Sequence, residues 1–133
     1  MSETDDFLAE VMPRLRAAEI ALHAGDPGPR GVLWSHEDPV SLFGAEINRV
    51  GWGELEPAFA WLASRFGECQ ALDYEIVAVD ARGDLAYLVA IERVTALVNG
   101  EPVSYALRAT TVFRREAGAW RVVHRHGDRY EQH

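Results

Sequence analysis

Cysteine is nearly absent from this chain: Cys69 is the only one in 133 residues. A lone thiol closes no internal disulfide, so the fold must rest on packing, in keeping with a reducing compartment. Also missing is any apolar run long enough to cross a bilayer, and the opening MSETDDFLAE has neither the basic head nor the apolar block of a secretory signal. The expectation is a cytoplasmic protein with no membrane contact. Positive charge is scarce as well, with 13 basic against 21 acidic residues and a net charge of −8, which repels nucleic acid and anionic surfaces. The one basic cluster, Arg114, Arg115, Arg121, Arg125 and Arg129, alternates with Glu116, Asp128 and Glu131. It reads as a solvated strand edge rather than a phosphate-binding surface. There is no Gly-x-Gly-x-x-Gly, no phosphate loop ending in Gly-Lys-Ser/Thr and no Cys-x-x-Cys, so no cofactor is expected.

What is present points to one α+β domain spanning residues 1–133, a length at which roughly two thirds of the unfolded chain's surface can be buried. Phe7, Leu8, Val11, Met12, Leu15, Ala18, Ile20 and Leu22 recur at helical spacing up to about residue 24, with a possible kink at Pro13 and a stop at Gly25. A short second helix is expected over Arg30 to Ser35 and a brief strand over Pro39 to Phe43. Ala45 to Trp52 is expected to wrap the mouth of the fold. The most regular helix is predicted over residues 54–66, where Leu55, Phe59, Leu62 and Phe66 share a face. From residue 72 the period falls to two. Strands are predicted over Leu72 to Val79, Leu85 to Ala96, Val103 to Arg115 and Ala119 to Asp128, joined by short turns of which Asn99-Gly100 is the clearest hairpin. Helices first and long strands afterwards place the helices on one side of an antiparallel sheet. Strands this long are expected to bend and leave a hollow beneath the helices.

The run Trp34-Ser35-His36-Glu37-Asp38-Pro39-Val40-Ser41-Leu42-Phe43-Gly44, then Gly51-Trp52, then Thr110-Thr111-Val112-Phe113-Arg114-Arg115 with Gly118 and Trp120-Arg121-Val122-Val123-His124-Arg125-His126, carries a resemblance. It resembles the SnoaL-like, ketosteroid-isomerase-like branch of the nuclear transport factor 2-like (NTF2-like) superfamily, over nearly the whole chain. The resemblance implies a cone-shaped, cystatin-like α+β fold with N-terminal helices on a strongly curved, mostly antiparallel sheet, and a homodimer packed partly through the outer sheet face. It is specific for fold and not for function, because the same architecture houses isomerases, cyclases, dehydratases, ligand binders and association domains. Steroid isomerases of this branch place a general-base aspartate where this chain has Phe43, and a tyrosine on the first helix, whereas no tyrosine here precedes Tyr74. Both differences argue against steroid isomerisation.

Candidate site residues follow from the strand period. Trp120, Val122, His124, His126 and Asp128 share one face of the last strand, with Arg121, Val123 and Arg125 on the other. His126, with His124 beside it, is the candidate proton shuttle, and Asp128 or Glu92 its orienting carboxylate. The alternative makes these histidines interface or structural groups. Glu92 lies on an otherwise apolar face with Ala86, Leu88, Ala90 and Val94, where a carboxylate must be paired or protonated. Its expected partner is Arg108 or Arg93. Trp34, His36, Trp52, Tyr74 and Arg108 are the candidate ligand-binding residues, with Trp52 free to turn between Gly51 and Gly53. His36 and Asp38 supply only two donors, too few for a metal site, and such a group more often caps the next element. Tyr87 and Tyr105 could bond a ligand or sit at a dimer interface.

Two functional readings follow. In the first, the protein binds a small apolar or cyclic molecule in its hollow and carries out cofactor-free acid–base chemistry of the isomerase, cyclase or dehydratase type. In the second, it is a non-catalytic dimerisation or association module whose hollow is filled by side chains.

Overall fold

The computed structural model describes residues 2–131. Helix α1 runs over Glu3–Leu22, with the Ser2 hydroxyl accepting from the amide of Asp5 at its start and Glu3, Asp5 and Asp6 favourably placed at the positive end of the helix dipole. Pro13 lies within this single helix. Helix α2 covers Gly28–Leu33, and α3 covers Trp52–Ser64. The strands are β1 (Ser41–Phe43), β2 (Asn48–Val50), β3 (Phe66–Arg82), β4 (Leu85–Val98), β5 (Glu101–Glu116) and β6 (Ala119–Arg129). They form one sheet in the order β2-β1-β6-β5-β4-β3. Among the strands of the described residues only the β1–β6 pair is parallel; the others are antiparallel.

The α+β arrangement with N-terminal helices is as the sequence implies, but the strongly curved, cone-shaped sheet is corrected. The six strands make an open sheet, with β2 and β3 as separate edges that do not pair with each other. A hollow exists nonetheless, because helices and a loop wall it from above the sheet. Two further expectations shift. Residues 45–52 are expected to wrap the mouth of the fold, yet Asn48–Val50 pairs with β1 as β2. Trp52 is expected to turn freely between Gly51 and Gly53. It is instead the first residue of α3, where the Asp38 carboxylate accepts its amide hydrogen at 2.9 Å and Gly51 turns the chain at φ 89°.

The main core lies between the helices and the inner sheet face. Phe7 of α1 packs edge-on against Phe113 and Trp120, with centroids 5.0 and 5.2 Å away, and all three rings are buried. Val11, Leu15, Leu55, Phe59, Leu88 and Val122 complete this layer. Tight turns close the β-meander. Asn99 and Gly100 both adopt positive φ, as the favoured two-residue hairpin requires, and Ala117 and Gly118 repeat the pattern.

Candidate functional site

At one end of the core, apolar packing gives way to a cavity of about 350 Å³. This is within the range of small-molecule sites. Its apolar walls include Leu22, Leu42, Ile47, Leu62, Phe66 and Leu107. Its polar lining includes Glu19, His23, Arg30, Glu92, Tyr105 and Arg125, drawn from five elements and the residue that follows α1.

Two buried ion pairs hold this polar end. Arg125 Nη1 and Nη2 donate to the Glu92 carboxylate at 2.7 and 2.6 Å, and Arg30 Nε donates to Glu19 Oε2 at 2.8 Å while its Nη2 meets Oε1. All four side chains are almost wholly withdrawn from solvent. Burial on its own would raise the pKa of Glu19, but the charge and hydrogen bonds of Arg30 outweigh it and hold the carboxyl at about 2. Burial would likewise neutralise Arg125, yet the Glu92 carboxylate keeps it firmly cationic. Fork-to-fork pairing of this kind fixes the orientation of both partners.

His23 lies one turn beyond Glu19. Its Nδ1 is 2.7 Å from the Glu19 carbonyl oxygen. A carbonyl only accepts, so Nδ1 carries the proton and Nε2 is left as an acceptor for the Tyr105 hydroxyl beside it. Burial lowers the His23 pKa, which keeps the ring neutral, and burial together with the Glu19 carboxylate raises that of Tyr105. The pair is a neutral imidazole and a protonated phenol, aligned for proton passage and open to the cavity.

Of the residues anticipated from the sequence, Glu92 lines the cavity. Its partner is Arg125; Arg108 instead makes an exposed bidentate pair with Asp128 at 3.0 and 2.5 Å. His126 is exposed on the outer face, and the His124 ring is also outward, with Nδ1 2.7 Å from Ser41 Oγ. Phe43 stands edge-on to both histidines. Trp34 is core, against Phe59. His36 stacks on Trp52 with centroids 3.8 Å apart and donates from Nε2 to the Gly31 carbonyl, bracing the start of α3. The Tyr74 hydroxyl is buried with no partner among the described residues and does not line the cavity.

A single bulge explains why the last strand presents Arg125 rather than the histidines. Phe113 pairs with Val122 and Val112 with His124, which leaves Val123 as an extra residue. Such an insertion reverses the side-chain alternation beyond it. Trp120 and Val122 are therefore inward before the bulge, and Arg125 is inward after it. Sequence reasoning also missed Glu19 and His23, although a pattern for them existed. Phe7, Val11, Leu15, Glu19 and His23 are spaced by four along one helical stripe, and the last two extend the buried row into the cavity.

Among the described residues no group of three or more histidine, cysteine or acidic side chains could hold a metal ion, and no helix is long and apolar enough to cross a membrane. The architecture and its cavity match one class of small α+β protein. The profile of the SnoaL-like domain matches residues 31–127, and the chain belongs to that family within the NTF2-like superfamily. Solved structures agree on the fold. A candidate dehydratase of the NTF2-like family from Streptomyces avermitilis is 21% identical with a TM-score of 0.76, covering 96% of this chain and 99% of that one. An NTF2-like superfamily protein from Salmonella enterica gives 0.78 at 16% identity, covering 96% and 94% of the two chains. A ketosteroid isomerase-like protein from Erwinia carotovora gives 0.75 at 19% identity, covering 95% and 98%. No curated protein matches the chain.

Proposed function

We propose that this chain is a single SnoaL-like domain over residues 1–133 that binds a small, largely apolar cyclic molecule and acts on it by cofactor-free acid–base chemistry. The observation that carries this reading is the cavity of about 350 Å³ with apolar walls and one polar end. An association module with a filled interior has no use for such a space. The proton-transfer role expected of His126 falls to His23 and Tyr105. A proton leaving the ligand passes to the Tyr105 oxygen as the phenol gives its own proton to His23 Nε2. The imidazolium so formed is held by the Glu19 carbonyl and carboxylate. The Glu92–Arg125 pair lies on the same sheet face as Tyr105 and fixes the neighbouring part of the lining. General acid–base assistance of this kind is worth about 100- to 10,000-fold.

In this reading the protein works as a homodimer through its outer sheet face, where Phe43 and Tyr87 are 40 and 42% exposed beside the outward histidines. The test is deuterium exchange of the α-protons of α-tetralone, a neutral bicyclic ketone small enough for the cavity, followed by proton NMR with the full chain. Faster exchange that falls by about 100-fold or more in Tyr105→Phe and His23→Gln supports the assignment. Exchange unaffected by both substitutions, or lost only in His126→Gln, would sink it.

A further inference from the structure

The charges around the cavity do not cancel. Glu19, Glu46 and Glu92 face Arg30, Arg65, Arg125 and Arg129, three acids against four bases, which leaves one positive charge with His23 neutral. That surplus stands out in a chain whose net charge is −8. The hydrogen-bonding inventory leans the same way. A guanidinium has five N–H donors. Arg30 spends one from Nε and one from Nη2 on Glu19, and Arg125 spends one from each Nη on Glu92; neither makes another hydrogen bond among the described residues. Arg30 is 5% and Arg125 7% exposed, and both line the cavity, so the cavity is where the unused donors can be met. The acceptors, by contrast, are already engaged: each carboxylate oxygen of Glu19 and Glu92 receives one guanidinium N–H, and His23 Nε2 faces Tyr105.

We propose that the occupant of the cavity is a monoanion, an apolar ring bearing one carboxylate, with its oxygens taken by the unused N–H groups of Arg30 and Arg125 and its ring against Leu22, Leu62 and Leu107. This deepens the binding function proposed above and rests on it. A single carboxylate brings the charge of the lining to zero, whereas a dianion such as a phosphate monoester would overshoot. The apolar wall leaves its other atoms no polar partners. At the mouth, Arg129 approaches Glu46 at 3.9 Å and Arg65 also meets Glu46, so two arginines share one carboxylate where an anion enters. Attraction between such exposed groups and a charged ligand is screened by salt.

Calorimetric titration of the full chain with 1-naphthoate and with 1-naphthamide, which share shape and differ in charge, tests the assignment. Naphthoate is expected to bind at least tenfold more tightly than the amide and to weaken between 20 and 300 mM salt, with the preference reduced several-fold in Arg129→Gln, a substitution at an exposed side chain outside the buried pairs. Leu62→Trp, which fills the cavity, is expected to abolish both titrations while circular dichroism shows the fold retained. Equal or tighter binding of the amide would overturn the anion assignment and leave the pocket reading intact. Failure of both compounds to bind, or binding undisturbed by Leu62→Trp, would overturn the pocket itself.

Discussion

Glu92 and Arg125 illustrate an asymmetry common to buried charges. Two charges withdrawn from water and joined by two hydrogen bonds roughly offset the cost of their own burial, whereas one left alone does not. Glu92→Met and Arg125→Met, singly, are therefore expected to lose about 3–5 kcal/mol in urea unfolding, and the double variant less than either. Additive losses would show that the two side chains are not coupled. A second prediction concerns pH. The folded pKa of Glu19 is depressed to about 2, so its contribution is fully present above the ordinary carboxylate pKa near 4.5 and is lost as pH falls from there towards 2. The gap is worth about 3 kcal/mol. His23 also has a lowered pKa: buried and neutral, it opposes protonation, and stability begins to fall below the ordinary histidine pKa near 6.5. Thermal melts should show two acid-side losses, the first shrinking in His23→Gln and the second in Glu19→Gln measured relative to its own neutral-pH value. At this scale Glu92 was legible, because Ala86, Leu88, Ala90 and Val94 flank it with a period of two on an apolar face. Its partner was not, because Arg108 and Arg125 are both arginines on later strands and only the register separates them.

Elements were legible where one period ran uninterrupted and illegible where it slipped. The alternation of β4 and the Leu55, Phe59 and Leu62 stripe of α3 could be read directly from the sequence, although Phe66, expected at the end of that helix, opens β3. Strand β3 could not. It runs over Phe66–Arg82, well beyond the predicted Leu72 to Val79, and its pairing with β4 shifts register between Phe66 and Glu68, Cys69 and Ala71, and Ile76 and Ala78. Each shift inserts a residue and resets which side chains face inward, so no two-residue rhythm survives across the strand. The extra residue at Val123 has the same effect in β6, with larger consequences because it chooses between an arginine and two histidines for the cavity. The start of α3 depends on a contact distant in sequence. Asp38 caps it from the loop between α2 and β1, and Asp38→Ala is expected to cost about 1 kcal/mol while Asp38→Asn retains most of that, as read by urea denaturation. Equal loss in both variants would assign the effect to charge rather than to the cap.

For the molecule as a whole, the open sheet divides the labour between its two faces. The inner face carries the core and the cavity; the outer face carries Tyr87 and Phe43 with the outward histidines. If the outer face joins two copies, Tyr87→Glu should halve the mass seen by light scattering at micromolar concentration and leave binding in the cavity unchanged. An unchanged mass would assign the exposed rings to another role. The open sheet also leaves β3 as a long edge with unpaired backbone groups along it, the kind of border on which a second chain can add itself strand by strand. Its three register shifts and its acidic residues Glu68, Asp73, Glu75 and Asp80 guard that border, since like charges oppose the approach of an identical strand. A chain loosened at low pH by the loss of the Glu19 charge offers the same border to its neighbours. Damage by low pH should therefore end in insoluble, strand-paired assemblies rather than in reversibly unfolded chains.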